Sequence, residues 1–300
     1  PLLALVMREV RAPRTLLAAL IGTGLGLAGA VMQGYLRNPL AEPYLLGVST
    51  GAALAAYLWR LPAFGAALVA ISPALGAVSQ QAFAFVGALV TIAIVFALAG
   101  PRGRIDPLRA ILVGVIINSL LGSVYLLLNS IYKDLPGSAG GMAFLVGSIQ
   151  TNLTTSQKTV AGAIVLVGWI VLMRSAGALN AAALGDDEAQ SLGVRVHRLR
   201  WIALLAGSLM TAAAVAISGP VAFVGLICPH AARLFVGHDT RKLLPLSAAI
   251  GAGLLTLADA FCRWLGADGR LGSVLPVGVV TSLVGGPIFL LLLARGRRHG

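Results

Sequence analysis

GLAGAVMQGYLRNPLAEPYLLGVSTGAAL, residues Gly26 to Leu54, lies between two long apolar runs. Its polar centre, Asn38 to Pro43, contains Pro39 and Pro43. Each proline removes a backbone donor and clashes with the preceding turn, so no single helix runs through both. The chain must enter an apolar medium, turn at a compact polar elbow and come back.

Composition identifies that medium. Of 300 residues, 58% are hydrophobic and only 11% charged, against about 25% charged in a soluble domain; the mean hydropathy is +0.92. Apolar runs of about 20 residues recur, the length that crosses a bilayer core of about 30 Å. Helices satisfy their own backbone groups in lipid, and the strand alternation of a membrane barrel is absent from the sequence. The fold class is therefore all-α, a polytopic membrane helical bundle, with residues 1–300 as a single transmembrane domain. We expect nine spans: Thr15–Gln33, Tyr44–Trp59, Val78–Ala99, Leu108–Ser130, Gln157–Arg174, Leu199–Ile217, Val221–Val236, Leu243–Leu265 and Pro276–Ala294. Leu61–Ala77, broken by Pro62 and Pro73, reads as a loop with a short helix, and Gly141–Ile149 as a short helix at one surface.

The formal net charge is +12, but the basic residues sit in short loops between apolar runs, which argues against nucleic acid and for membrane topology. The larger set, including Arg102, Arg104, Arg174, Arg195, Arg198, Arg200, Arg233 and Arg241, marks the cytoplasmic side. Cys228 and Cys262 stand apart in apolar context, and the four histidines lack metal-ligand spacing.

Gly24-Leu-Gly26-Leu-Ala-Gly29 matches GxGxxG in form, but it lies inside a span, where Gly22 and Gly26 serve close helix packing better than a dinucleotide. No GxxxxGK[ST] loop occurs, so ATP-driven transport would need a separate ATPase. AVMQGYLRNPLAEP and AVAISGPVAFVGLICPH are both Pro/Gly-interrupted apolar stretches, one in each half of the chain, a hint of a pseudo-symmetric repeat. Asp259 sits within an apolar run; a structural hydrogen bond or ion pair is favoured over a functional acid. Asn118 and Ser119 lie mid-span, open to either pathway lining or helix–helix hydrogen bonding. The segment Asn180 to Arg200 is the longest polar stretch on the cytoplasmic side and reads as two short helices around Gly193.

Four stretches carry a family resemblance: RNPLAEPYLLGVSTGAAL, LGDDEAQSLGV from Leu184, SGPVAFVGLICPHAARLFVGHDTRKLLPLSAAIGAGLLTLADAFCRWL from Ser218, and LPVGVVTSLVGGPIFLLLL from Leu275. The chain resembles the permease subunit of binding-protein-dependent ABC importers for iron chelates, haem and cobalamin, the FecCD type. Val274 and Gly286 depart from the family pattern, which has an acidic residue and an alanine there. The resemblance implies a ten-span fold with both ends inside, of which the first span is expected to be missing here. It implies a homodimer with two ATP-binding cassette subunits, an extracytoplasmic binding protein and a bacterial inner (cytoplasmic) membrane location. The chain itself would be no enzyme and would bind no cofactor, with ATP and Mg held on the partner ATPase. Cargo would be a ferric siderophore, haem or cobalamin.

Carried over residue by residue, the coupling element spans 180–200, with Leu184, Gly185, Asp186, Ala189, Leu192, Gly193, Val194 and Arg195 facing the ATPase. Arg11, Arg14 and Arg263 would dock the binding protein. Asn118, Ser119, Met142, Phe144 and Pro276 would line the substrate pathway. The rival reading is an ion-coupled secondary transporter with inverted repeats, for which Asp259 is the one clear coupling candidate. A membrane-embedded enzyme would need clustered His, Asp or Glu at a membrane face, which the sequence does not show.

Overall fold

The computed structural model describes residues 11–36, 38, 41–42, 44, 47–72, 78–100, 107–132, 146–150, 153–267 and 275–296. Among these the regular elements are helices: α1 (Ala12–Tyr35), α2 (Val48–Arg60), α3 (Pro62–Ile71), α4 (Gln80–Ala99), α5 (Pro107–Ile131), α6 (Thr155–Leu184), α7 (Asp186–Ser191), α8 (Val196–Ser218), α9 (Val224–Val236), α10 (Thr240–Ala267) and α11 (Val277–Gly296). Each of the nine expected segments coincides with a helix. Six are long and apolar enough to cross a membrane alone, and the bent pair α2–α3, folded by 82°, makes a seventh. With 13 residues, α9 reaches only about 20 Å, short of a bilayer core of about 30 Å, and the described apolar part of α11 is also shorter than a span, so six or seven of the nine expected spans stand on length and composition.

Local chemistry sets several ends. Pro13 opens α1, where its missing N–H costs nothing. Ser79 caps α4 through Ala82 N. Thr154 and Gln157 form a reciprocal capping box at the start of α6.

Helix α1 is the axis of the bundle. In α1 and α8, 72% and 78% of the apolar window is buried, against 11% in α5. Small residues make this possible. A methyl group at Gly22 would strike the carbonyl of Gly251, at Gly26 that of Ser247, and at Gly29 that of Gly225. Backbones of α10 and α9 therefore lie directly on α1, the close approach that small residues permit in lipid, and the GxGxxG glycines are packing surface. One core cluster joins Leu27, Met32, Val48, Ile92, Val95, Leu204 and Met210; another, toward the start of α1, joins Leu17, Ile21, Ile217, Val224, Leu255 and Cys262.

Three expectations change. Helix α6 runs ten residues beyond Arg174, to Leu184, because Ala, Leu and Asn there continue the helix. The second short helix expected after Gly193 is no separate element: it is the first turns of α8. Val196, Leu199 and Ala203 are buried on one face of it, the i, i+3, i+7 stripe of an amphipathic extension. Finally, Gly147 to Gln150 is not helical. Gly147 adopts φ +82° with its carbonyl accepting from Gly278 N at 3.0 Å, and Ser148 N donates to Ser218 O at 2.7 Å. Residues 141–145 of that expected helix lie outside the described residues.

Candidate functional site

Three constellations stand out, at the α7 end, at the elbow and at the opposite end of the bundle.

At the α7 end, Leu184 closes α6, Gly185 makes the junction and Asp186 begins the six-residue α7. Asp186, Asp187 and Glu188 fill its first turn, where the helix dipole favours negative charge. Ala189 is fully buried and fixes the helix to the bundle, while Leu184 and Leu192 are 72% and 67% exposed. Gly193 adopts φ +79°, and Val194 N then donates to Ala189 O at 3.0 Å. Val194 is partly buried and Arg195 exposed. The eight residues expected to act together thus form one projecting knob, with an apolar pair outward and one alanine inward. Beneath it lies a cleft of about 120 Å³ bordered by Tyr35, Asp186, Arg200, Arg233 and His238. Arg200 Nη2 donates to both Asp186 oxygens, at 2.6 and 2.9 Å, and its guanidinium carbon lies 5.9 Å from the centre of the Tyr35 ring. Nearby, Asn180 Nδ2 donates to Asp239 Oδ1 at 2.7 Å, and Thr240 N donates to Asn180 Oδ1 at 2.8 Å. Donation from Asn180, then from Arg241 N, holds the Asp239 carboxyl below its usual range. The end of α6 is thereby tied to the start of α10.

The elbow closes on the other interrupted stretch. Glu42 Oε1 accepts from Phe223 N at 2.6 Å, joining the break after α1 to the break before α9. Phe223 is the one non-glycine among the described residues with positive φ, +69°. A few residues on, Pro229 lacks the N–H that would bond the Gly225 carbonyl. Buried Gln33 supplies the substitute: its Nε2 donates to Gly225 O at 3.4 Å and Leu226 O at 3.2 Å, and its Oε1 accepts from Arg233. Glu42 keeps some surface as a residue, yet protein crowds its carboxyl, and burial pushes its pKa up to about 7 despite the bond from Phe223. Gly47, at φ +74°, then starts α2, whose Thr50 Oγ1 donates to Asn118 Oδ1 at 2.7 Å. Asn118 is thus turned toward α2. Ser119 is exposed on α5, and Pro276 is partly buried just before α11. Met142 and Phe144 lie outside the described residues.

At the far end, Asp259 is fully buried between two arginines. Arg14 donates from Nε to both carboxylate oxygens and from Nη2 to Oδ1, at 2.8–3.2 Å, and Arg263 Nε lies 3.0 Å from Oδ2. Two of the three arginines expected at a docking surface therefore converge on one carboxylate, leaving side-chain exposures of 16% and 27%. Arg11 is exposed beside them. Asp259 is an ion-pair anchor, as expected. Glu42, Gln33 and Arg200 escaped the sequence reading as functional residues. The one available signal was an acid between the two elbow prolines.

A helical bundle with six helices long and apolar enough to cross a membrane among the described residues defines a multi-pass membrane protein. Comparison with known proteins gives the class a family: the FecCD transport family model matches residues 1–295, and the chain belongs to that family. It is 39% identical, over 97% of its length and 84% of the relative's, to the hemin transport system permease protein HmuU of Yersinia pestis. It is 37% identical to the cobalamin import system permease protein BtuC of Halobacterium salinarum, covering 96% of this chain and 73% of that one. With the ferric enterobactin transport system permease protein FepD of Escherichia coli it shares 38% identity over 98% and 84%. Among solved structures, one described as an inward-facing metal-chelate type ABC transporter superposes with a TM-score of 0.83 at 29% identity, covering 98% of this chain and 89% of that one. The three named relatives are transport permeases.

Proposed function

We propose that the chain is the membrane subunit of an ABC importer that carries a ferric siderophore, haem or cobalamin into the cytoplasm by alternating access, driven by a separate ATPase. Two copies of the chain would work with two ATPase subunits in the bacterial inner membrane. An extracytoplasmic binding protein would deliver cargo at the end carrying Arg11, Arg14 and Arg263. Cargo would pass between the two copies, beside α5 and α11, with Asn118, Ser119, Met142, Phe144 and Pro276 along the way. The sparsely covered α5 supports that arrangement, since an apolar face of this extent awaits lipid or another subunit.

The observation that carries the reading is α7. It is a six-residue helix with exposed Leu184 and Leu192 beside it and a buried alanine beneath, shaped to seat in a partner's cleft and to push on the bundle when that cleft moves. The test is transport in reconstituted vesicles with the loaded binding protein outside and ATP at the α7 face. Uptake should require the ATPase and ATP hydrolysis. Uptake driven by an ion gradient with no ATPase present would overturn the proposal in favour of secondary transport.

A further inference from the structure

We infer that Arg200 is a positioning residue that carries the displacement of α7 to the elbow, through Asp186 on one side and the Tyr35 ring on the other. The inference rests on the coupling role proposed for α7. Asp186 is the first residue of that helix, so a tilt of α7 moves its carboxylate directly. Both carboxylate oxygens hold the same Arg200 nitrogen, and Arg200 stands in the second turn of α8, on the stretch where the helix leaves the core. The guanidinium faces Tyr35, the last residue of α1, at a distance where a cation and an aromatic face attract. From Tyr35 the chain passes at once into the elbow, where Asn38 N bonds Gln33 O at 3.2 Å and Ala41 N bonds Asn38 O at 3.0 Å. The cleft bordered by Tyr35, Asp186 and Arg200 leaves space for the strut to shift. With side chains about one-third exposed, the pair contributes little to folding stability. A loss of coupling at unchanged stability is therefore what distinguishes a transmitting role from a structural one.

The experiment uses the whole complex in vesicles. It compares Arg200→Gln, Arg200→Lys, Tyr35→Leu and Tyr35→Phe, with Leu192→Asp as the probe of the docking knob. Three quantities are read: ATPase retained on purification, cargo taken up per ATP hydrolysed, and thermal midpoint. Arg200→Gln and Tyr35→Leu should keep the ATPase and the midpoint but lower uptake per ATP on the order of five-fold. Arg200→Lys and Tyr35→Phe should retain most of the wild-type ratio, and the double variant Arg200→Gln/Tyr35→Leu should be no worse than either single change. Leu192→Asp should detach the ATPase; if it does not, the coupling role of α7 itself fails. If Leu192→Asp detaches the ATPase while Arg200→Gln and Tyr35→Leu keep the wild-type ratio, the strut is refuted and the coupling role stands. Loss of the ATPase or of the midpoint in Arg200→Gln would also refute it, in favour of a docking or folding role.

Discussion

Asp259 shows why an acid can sit inside an apolar run. With no exposure of its own and two guanidinium partners, it costs little as long as both partners stay, and a great deal when the balance breaks. Removing one member of a buried pair costs about 3–5 kcal/mol. Asp259→Ala should therefore lower the thermal midpoint of the detergent-solubilised protein strongly. Arg14→Ala should act more severely than Arg263→Ala, because Arg14 contributes more bonds and is the more covered. Equal, small shifts for all three would show that the cluster is only surface charge. Glu42 makes the opposite kind of prediction. Its pKa rises from 4.5 to about 7, so between those values the folded state holds a proton that the unfolded state has released. Stability should then fall as pH rises from 4.5 to 7 and level off above, by about 1–3 kcal/mol from this group. Glu42→Gln keeps an acceptor for Phe223 N and cannot ionise. It should flatten that part of the pH profile and stabilise the protein at pH 8. An unaltered profile would mean that the carboxyl is better solvated than the packing implies.

Among the elements, the short helix α7 and its glycine hinge matter most. Nothing lies within 4 Å of where a side chain at Gly193 would begin, so substitutions there act through the backbone and not through collision. A residue with a Cβ held at φ +79° costs about 1–2 kcal/mol, less for asparagine. Gly193→Val should uncouple ATP hydrolysis from uptake or release the ATPase, while Gly193→Asn should retain most of both activities. The paired measurement is ATPase stimulation by loaded binding protein, and uptake, in the same vesicles. Equal loss in the valine and asparagine variants would point to steric crowding against the partner instead of backbone strain.

For the whole molecule, the arginine cluster at the end opposite α7 changes how docking must be probed. Arg14 and Arg263 are committed to Asp259, so reversing either charge perturbs the bundle as well as any partner. Arg11, exposed at the start of α1, is the third charge of this end to probe. Arg11→Glu should weaken binding of the loaded binding protein by a factor that grows as salt is lowered, because an exposed pair contributes only about 1 kcal/mol or less and is screened. Binding unchanged at low ionic strength would place the docking surface elsewhere. The same geometry gives the two arginines a purpose within one chain: Arg14 joins the first turn of α1 to the far end of α10, and Arg263, one turn along α10 from Asp259, shares the same carboxylate.

The membrane class, the centre of every long helix, the break after α1 and the α7 segment were legible along the chain, because run length, proline spacing and glycine position are local signals. Long-range pairing was not. Arg14 meets Asp259 across 245 positions and Glu42 meets Phe223 across 181, and no periodicity encodes which distant groups share a site. The continuity of α8 was hidden for a related reason. Arg195, Arg198 and Arg200 read as part of a separate short helix after Gly193, yet Val196, Leu199 and Ala203 are all buried on one face, so that stretch runs on into the span as one helix. Likewise only the packing of α1 against α9 shows that Gln33 takes the Gly225 carbonyl that Pro229 leaves without a donor, together with that of Leu226. Local steric and solvation rules wrote the elements into the chain, and satisfaction of buried polar groups, which depends on what the fold brings near, settled how they were joined.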